Sequence, residues 1–401
     1  MPKLLVINVS INRGSTGKIA EQIGNKAQNH GWDCYVGYGN FNLGSKMKAF
    51  HISSKWYKRL HAVESRLLDN HGLSSRLATK RFITHIEKIQ PDIIHIHNVH
   101  GYYINYKILF DFLKSYGKPV VWTLHDCWSF TGHCSHFVTA DCDRWKTGCH
   151  DCPLRKEYPA SVFLDRSRKN YEQKKEAFNG LKSLTIVPVS QWLGDFVGES
   201  FLSGNEIKVI HNGIDLNVFK PSAPKVKDGK FRVISVSSVW TVDKGLRDFK
   251  KLREILPQEY EITLVGLKPD QLKPLPEGVT GITRTDSVQK LAELYSQSDV
   301  LVNATYADTF PTVNLEALAC GTPVITYNTG GSPEAIDEKT RIVVEQGNVG
   351  KLAEAIIRMR KNPLSPKDCR ERAERLFDKD KCFEEYMELY NKLLTEHDSI
   401  M

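Results

Sequence analysis

Two carboxylates, Asp308 and Glu316, lie eight positions apart in the stretch DTFPTVNLE, which follows the apolar run DVLVNAT. Pro311 fits the first turn of a helix, where its missing N–H removes no hydrogen bond. The N–H groups near Thr312 and Val313 then form an anion site at the helix N-terminus. Glu316 can accept hydrogen bonds from the vicinal diol of a ribose, and Asp308 from a second polyol such as a sugar. Alternatively, Asp308 only favours the helix dipole and Glu316 is a solvated helix residue.

A glycine-rich stretch, NRGSTGK at residues 12–18, connects the first predicted strand to the first predicted helix. It is not a P-loop, because that motif requires Gly five residues before its last Gly and Ser or Thr after its Lys. This chain has Asn12 and Ile19 at those positions. The turn still presents backbone N–H groups at a helix N-terminus, and Gly14 and Ser15 are the candidates for contact with an anion. The alternative is an ordinary tight turn.

His125, in the stretch WTLHDCW, ends a predicted strand at the edge where parallel sheets bind ligands. A histidine there, beside Asp126, can hydrogen-bond a sugar hydroxyl. Its alternative role is to close a strand-to-helix turn as an ordinary polar residue. His95 and His97 are two positions apart and therefore point to one face of their strand, where we expect half-buried structural residues.

Five of the nine cysteines fall between residues 127 and 152. In a chain with no predicted secretion signal, clustered cysteines favour a metal site over disulfides. Four thiolates in so short a loop suit a closed, tetrahedral structural zinc ion, with Cys134, Cys142, Cys149 and Cys152 as the predicted ligands. Free buried thiols are the alternative, and an iron–sulfur cluster or a redox pair is less favoured. One cysteine could be replaced by a nearby histidine: His133, His136 or His150.

The length and amino-acid composition limit which class of protein this chain can belong to. At 401 residues the chain exceeds a single ordinary core, so two domains are expected. Its 41% hydrophobic and 25% charged residues are typical of a soluble protein, and no long apolar run predicts a membrane span. The N-terminal stretch lacks a signal-peptide pattern, which favours a cytoplasmic protein. The net charge of +8 fits either solubility or a preference for anionic ligands or an anionic membrane surface, and no basic run predicts nucleic-acid binding.

Short β-branched runs alternate with amphipathic helical stretches. One series runs from KLLVINVS to SLTIVPVS, and a second starts at FRVISVSS after the Pro- and Lys-rich residues 216–230. This alternation predicts parallel sheets with right-handed crossovers. The fold class is therefore α/β, with two doubly wound, Rossmann-like domains. We predict one domain at 1–210, with a Cys-rich insertion at 127–152, a second at 211–378, and a final helix within 379–401 that packs on either domain and could return to the first.

The motifs combine into a resemblance to a known family. DTFPTVNLEALACGTPVITYNTGGSPE is similar to the nucleotide-binding signature of the retaining glycosyltransferases of family four, which have the GT-B fold of two Rossmann-like domains facing a cleft. The stretches VSQWL, VIHNGIDLNVFKP, VDKGL and ITLVGL match in the same order, so the resemblance covers most of the chain up to about residue 340. Within the family, the likeness is to the colanic-acid and capsule type of bacterial exopolysaccharide glycosyltransferases.

The resemblance implies a role for each matching residue. Glu316 would hold the ribose hydroxyls of the donor, and Lys244, in VDKGL, would neutralise the leaving diphosphate. Asp308, a shorter carboxylate where many relatives have Glu, and His125 would contact the donor sugar. The other donor contacts would come from backbone groups at the two predicted helix starts: Phe310, Pro311, Thr312 and Val313 in one, and Gly14 and Ser15 in the other.

One position departs from the family pattern. Many relatives have an Arg five residues before the Lys of VDKGL, where this chain has Val239. A second fixed positive charge is therefore missing from the predicted phosphate site. Arg13 and Arg284 are the cations that could substitute for it.

The implied function is retaining transfer of a sugar from a nucleotide sugar, of the UDP or GDP type, to a lipid-linked saccharide in polysaccharide or capsule biosynthesis. The first domain would take the acceptor side and the second the donor, with peripheral contact at the inner face of the membrane. No cofactor is expected for the chemistry, because Lys244 and helix N-termini stand where other transferases use a metal. The alternatives are a nucleotide-sugar epimerase or glycan phosphorylase of the same fold, and a zinc-organised scaffold with a degenerate catalytic core.

Overall fold

A computed structural model of the chain describes residues 1–222, 224–273 and 275–399. The chain divides into two compact units, of which unit 1 consists of residues 1–211 and 383–401 and unit 2 of residues 212–382. Unit 1 is therefore discontinuous in sequence. The predicted ranges were 1–210, 211–378 and 379–401, and the structure assigns residue 211 to unit 1 and residues 379–382 to unit 2.

Unit 1 is built on a parallel sheet whose order, in the residues described, is β3-β2-β1-β4-β5-β6-β7. Its strands are β1 (Lys3–Asn8), β2 (Asp33–Tyr38), β3 (Lys48–His51), β4 (Ile93–Ile96), β5 (Val120–Leu124), β6 (Leu184–Pro188) and β7 (Glu206–Ile207). The crossover helices and connections include α1 (Gly14–Asn29), α2 (Lys55–Leu68), α3 (Arg76–Ile89), α4 (Tyr106–Tyr116), α5 (Ser167–Phe178) and α6 (Gln191–Glu199). The central strands are buried on both faces, as their continuous apolar sequences require.

Unit 2 repeats this architecture with the order β10-β9-β8-β11-β12-β13 among its described strands. The strands are β8 (Phe231–Val236), β9 (Tyr260–Val265), β10 (Val279–Ile282), β11 (Val300–Asn303), β12 (Val324–Tyr327) and β13 (Arg341–Val344). The helices are α7 (Leu246–Ile255), α8 (Pro269–Leu272), α9 (Val288–Gln297), α10 (Thr312–Ala319), α11 (Val349–Lys361) and α12 (Pro366–Leu376). The predicted α/β class with two parallel-sheet domains is confirmed. In each sheet the strand order reverses once, between β1 and β4 and between β8 and β11, and ligands bind at such switch points.

The last helix, α13 (Lys379–Asp398), begins in unit 2 and continues in unit 1. Within unit 1, the hydroxyl of Tyr390 lies 2.6 Å from Nδ1 of His95, and the hydroxyl of Tyr386 lies 3.0 Å from Oγ1 of Thr123. Nε2 of His95 is in turn 2.8 Å from Oγ1 of Thr123. The expectation that His95 and His97 are half-buried is wrong, since they are 0% and 1% exposed. α13 supplies one of the two polar partners that make burial of His95 possible, and β5 supplies the other.

Residues 127–166 connect β5 to α5 and contain two single-turn 3-10 helices, at Val138–Ala140 and Arg144–Lys146. Aromatic packing gives this segment a core of its own. The ring of Trp145 packs on Phe137 and on Phe196 of α6, at centroid distances of 4.9 and 5.3 Å. The predicted Cys-rich insertion at 127–152 lies within this segment.

Helix α2 carries its apolar side chains on the side that faces solvent. The residues that it buries are His61 and Ser65, whereas an apolar stripe of four residues is 42–72% exposed: Trp56, Leu60, Val63 and Leu67. This is the reverse of the usual pattern, in which the apolar face of a helix packs on the core. Among the described helices, none is both long and apolar enough to cross a membrane.

Candidate active site

Lys244 lies in a tight turn after β8, at the switch point of the unit 2 sheet. Gly245 ends this turn with a φ of 73°. A Cβ at Gly245 would lie 2.2 Å from the carbonyl oxygen of Ala304, just after β11. Glycine therefore allows the β8 and β11 loops to meet closely. The contact continues where the N–H of Tyr306 donates to the carbonyl oxygen of Asp243 at 2.7 Å.

The Lys244 ammonium makes three contacts with the loop after β11. Its Nζ donates to Oδ2 of Asp308 at 2.8 Å, to the carbonyl oxygen of Ala307 at 3.2 Å and to Oγ1 of Thr305 at 3.3 Å. The side chains of Lys244 and Asp308 remain 32% and 24% exposed, so a ligand at this edge of the sheet can reach both. The structure thus joins Lys244 and Asp308, which were predicted to contact the diphosphate and the donor sugar, in one ion pair.

The backbone of Asp308 is held by the glycine turn that follows β12. The N–H of Gly331 donates to the carbonyl oxygen of Asp308 at 3.3 Å. Gly330 has a φ of 56°, and a Cβ there would lie 1.8 Å from the same oxygen. A side chain at Gly330 would therefore push the Asp308 loop away.

Helix α10 begins beside this loop, with Pro311 as its N-cap. Phe310 and Pro311 are buried, and the ring of Phe310 packs on Phe377 at a centroid distance of 5.8 Å. These two predicted donor-binding residues therefore position the loop, and any contact with a ligand falls to their backbone. Thr312 and Val313 are half-buried in the first helical turn, where unpaired N–H groups attract an anion.

A buried polar network fixes α10 to the sheet. Nδ2 of Asn303, at the end of β11, donates to Oδ1 of Asn314 at 2.9 Å, and Nδ2 of Asn314 donates to Oγ of Ser332 at 3.0 Å. Ser332 also lies 2.7 Å from Oγ1 of Thr326 in β12. Asn314 is fully buried, so its amide depends on these partners. The helix N-terminus is thereby held rigidly at the sheet edge.

Glu316 is half-buried one turn into α10, and the hydroxyl of Tyr295 donates to its Oε2 at 2.9 Å. Tyr295 comes from α9 and is itself fully buried; burial and the Glu316 charge raise its pKa well above the usual range. The tyrosine therefore stays protonated and orients the carboxylate. Sequence reasoning missed Tyr295, because the packing of α9 on α10 leaves no local signal.

In unit 1, His125 follows β5 and pairs with His97, which follows β4. Nε2 of His125 lies 3.0 Å from Nδ1 of His97. Burial lowers the pKa of His125 to about 4 and that of His97 well below its usual range. Both rings are therefore neutral at neutral pH, as a shared N–H···N hydrogen bond requires.

A histidine–carboxylate pair adjoins His125. Nε2 of His100 lies 2.8 Å from Oδ2 of Asp126, and the N–H of Trp128 donates to the other carboxylate oxygen at 2.9 Å. Burial opposes ionisation of Asp126, but His100 and this N–H outweigh it, and the pKa of Asp126 falls below its usual range. These residues line a cavity of about 10 Å³ together with His97 and His125.

The predicted phosphate contacts Gly14 and Ser15 are exposed at the N-terminus of α1 in unit 1, and Gly14 has a φ of 69°. The guanidinium of Arg13, one of the two candidate substitutes for the missing arginine, lies 3.6 Å from the centroid of the Phe41 ring. Val239, in unit 2, is 50% exposed, and Arg284 is exposed in the loop after β10.

The four predicted zinc ligands line one cavity of unit 1, which has a volume of about 10 Å³. Two histidines named as substitutes also line it: His133 and His150. In the part of the chain that the structure describes, no three His, Cys, Asp or Glu side chains are grouped closely enough to hold a metal ion as they stand.

Two family models match the chain. The model for glycosyl transferases group 1 matches residues 230–362, and the model for glycosyltransferase family 4 matches residues 27–218. Together they account for most of both sheets. Both models describe glycosyltransferases, so the protein is a glycosyltransferase, and the resemblance inferred from its motifs is confirmed.

Individual relatives agree with this assignment. WcaC from Escherichia coli K12, named as a colanic acid biosynthesis glycosyl transferase, is 28% identical over 374 residues, covering 88% of this chain and 89% of that protein. Sulfoquinovosyl transferase SQD2 from Arabidopsis thaliana is 29% identical over 182 residues, which is 41% of this chain and 35% of that protein.

Solved structures show the same fold. Sucrose-phosphate synthase from Thermosynechococcus elongatus has a TM-score of 0.76 at 17% identity, covering 99% of this chain and all of that one. Anabaena HepE in complex with UDP-glucose has a TM-score of 0.65 at 15% identity, covering 97% and 99%. At these identities the likeness shows the fold alone, which is that of the GT-B glycosyltransferases.

Proposed function

We propose that this protein transfers a sugar, with retention of configuration, from a nucleotide sugar to a lipid-linked saccharide in polysaccharide biosynthesis. The observation that carries the proposal is the ion pair of Lys244 and Asp308 at the unit 2 switch point, next to the first turn of α10. Support comes from the name of WcaC and from the UDP-glucose bound by Anabaena HepE.

Each donor group has a complementary partner in unit 2. The carboxylate of Glu316, oriented by Tyr295, accepts hydrogen bonds from the two ribose hydroxyls. The N–H groups of Thr312 and Val313 receive phosphate oxygens, because a helix N-terminus carries partial positive charge. Asp308 accepts a hydrogen bond from a hydroxyl of the sugar. A nucleoside diphosphate sugar of the UDP or GDP type satisfies all of these groups.

The proposed step is a substitution on one face of the sugar. The acceptor hydroxyl oxygen bonds to the anomeric carbon while the bond from that carbon to the diphosphate oxygen breaks, and the acceptor proton passes to the leaving phosphate. Negative charge grows on the diphosphate, and Lys244 stabilises it there. In unit 1, His125, Gly14 and Ser15 stay candidates for contact with the donor, as the family resemblance implies.

The acceptor side of the proposal is supported by the exposed face of α2. Its apolar stripe is flanked by four cations of the same helix: Lys55, Lys58, Arg59 and Arg66. Val162 and Phe163, which are 57% and 68% exposed, adjoin the end of the helix, since the N–H of Val162 donates to the carbonyl oxygen of Arg66 at 2.8 Å. A cationic helix with an outward apolar face suits the surface of an anionic bilayer, where a lipid-linked acceptor would lie.

Thermal unfolding tests the donor site. The purified protein is heated with UDP, GDP, ADP, CMP or their sugars, and beside it Glu316→Ala and the exposed control Glu338→Ala. A ligand at about 100 times its dissociation constant stabilises by about 2.7 kcal/mol. We expect one nucleotide to raise the melting temperature of the wild type and of Glu338→Ala but not of Glu316→Ala. An equal shift in all three proteins would show that Glu316 does not hold the nucleotide.

Sedimentation with vesicles tests the membrane face. We expect binding to vesicles containing phosphatidylglycerol and not to pure phosphatidylcholine. The double variant Trp56→Ser, Leu60→Ser should lose most of this binding, while Ile255→Ser, which removes an exposed apolar residue from unit 2, should keep it. Unchanged binding of the double variant would exclude α2 as the docking face, without affecting the test of the donor site.

A further inference from the structure

The cysteine-rich segment of unit 1 encloses a small cavity that the glycosyltransferase reaction does not use. The residues that line it all come from positions 131–153: Thr131, His133, Cys134, Phe137, Cys142, Arg144, Trp145, Cys149, His150, Cys152 and Pro153. Four of the protein's nine cysteines therefore line one cavity.

A backbone donor faces one sulfur atom in this cavity. The N–H of Gly132 donates to Sγ of Cys149 at 3.1 Å. A Cβ at Gly132 would lie 2.6 Å from Cβ of Cys149, so glycine permits this contact. N–H donors stabilise sulfur as thiolate, which is the form that binds metals.

A buried lysine lies beside these thiols. Lys174 of α5 is 1% exposed, and its Nζ donates to the carbonyl oxygens of Trp128 and Thr131 at 2.6 and 2.9 Å. Burial lowers the pKa of Lys174 to about 7, and the nearby Cys149 and Cys134 oppose this shift. Zinc held by four thiolates carries a net charge of −2, which would stabilise the protonated lysine.

His133 adds an independent feature. Its Nδ1 lies 2.6 Å from Oδ1 of Asp69, and both side chains are 1% exposed. Its Nε2 is buried without a hydrogen-bond partner, and the ring lines the same cavity. A histidine that gives one nitrogen to a carboxylate and leaves the other open is the arrangement commonly seen at metal sites.

We propose that this cavity is a structural site for one Zn²⁺, held by the thiolates of Cys134, Cys142, Cys149 and Cys152. The side chains turn toward a common centre when the ion binds, and the thiols release their protons to solvent. Four protein ligands close the coordination sphere, so the ion is structural rather than catalytic. Because the segment begins two residues after His125, the ion would stabilise that end of unit 1. The site does not depend on the proposed donor or acceptor.

Metal analysis of the purified full-length protein tests this assignment. We expect about one zinc per chain, a loss of at least tenfold in zinc content in Cys149→Ser and Cys152→Ser, and full content in Cys34→Ser, a buried cysteine of unit 1 outside the cavity. Reconstitution of the apoprotein with Co²⁺ should give the visible absorption of tetrahedral thiolate coordination. The cobalt spectrum of the wild type keeps the test valid if a variant fails to fold.

Three results would overturn the assignment. Wild-type protein that contains no zinc, and takes up neither zinc nor cobalt under reducing conditions, would leave the four residues as free thiols. A Cys134–Cys152 disulfide in protein prepared under reducing conditions would show that these two cysteines bond to each other and not to a metal ion. Loss of zinc in His133→Gln together with its retention in Cys142→Ser would remove Cys142 from the ligand set in favour of His133.

Discussion

The Nζ atom of Lys244 lies 2.8 Å from Oδ2 of Asp308, across the point where the strand order of unit 2 reverses. The lysine follows β8 and the aspartate follows β11, so two loops distant in sequence present a cation and an anion side by side. The Lys244 ammonium can therefore also contact a diphosphate, and the Asp308 carboxylate can accept a hydrogen bond from a sugar hydroxyl.

Replacement of Lys244 by Ala should lower kcat by about 10² to 10³-fold, because charge on the leaving diphosphate loses its stabilising partner. The free energy of unfolding should change by less than about 1 kcal/mol, since the ion pair is partly exposed. Steady-state kinetics, with the donor that the thermal-unfolding test identifies, measures the change in kcat. Thermal denaturation measures the change in the free energy of unfolding. Lys251→Ala, an exposed lysine of α7, is the matched control. An unchanged kcat would rule out this role for Lys244.

Replacement of Tyr295 by Phe should raise KM for the donor several-fold with little effect on kcat, because Glu316 loses the hydroxyl that orients it. Tyr327→Phe is a suitable control, since its hydroxyl donates to Oδ2 of Asp248 at the same distance of 2.9 Å. Each variant should cost about 1 kcal/mol of stability. If KM rises equally in both, the effect is one of stability and Tyr295 has no positioning role.

Replacement of Gly245 by Ala should destabilise unit 2 by about 2 kcal/mol or more and reduce turnover, because the new Cβ would meet the carbonyl oxygen of Ala304. Gly229→Ala separates this contact from backbone strain, since Gly229 also has positive φ but has open space around its Cβ position. The control should lose about 1 kcal/mol. Urea denaturation of both variants measures the difference, and equal losses would mean that the close approach of the two loops is unimportant.

Acid should destabilise unit 1 before unit 2. Burial lowers the pKa of His61 and His125 to about 4 and that of His95 to about 3, against about 6.5 in an unfolded chain. Between pH 6.5 and 4.5 the unfolded state therefore binds more protons, and each histidine removes about 2 to 3 kcal/mol as the pH falls. All 14 histidines lie within residues 1–211 and 383–401.

Hydrogen exchange followed by peptide analysis checks this pH dependence. Protection should fall in β4 and β5 between pH 6.5 and 4.5 while β8 and β11 keep theirs. Parallel loss of protection in both sheets would contradict the assignment of the acid response to buried histidines.

Patterns within short stretches predicted the alternating strands and helices, the two parallel sheets and the neighbourhood of Asp308 and Glu316. They worked because buried strands and helix starts have local composition rules. The same rules could not find the hydroxyl of Tyr295, since α9 and α10 meet only in the fold. They also failed for His95, whose polar partner Tyr390 is 295 positions away. Polar groups satisfied across such distances give no signal in the neighbouring sequence.

The passage of α13 from one unit to the other has a consequence for how the chain is made. During synthesis, unit 2 is complete at residue 382, before unit 1 receives its last helix. Until then, His95 and Thr123 lack the hydroxyls of Tyr390 and Tyr386. The sheet of unit 1 is therefore synthesised first but completes its packing last. A chain that stopped at residue 382 would contain all of unit 2, and a unit 1 that lacks the part of α13 that packs on its core.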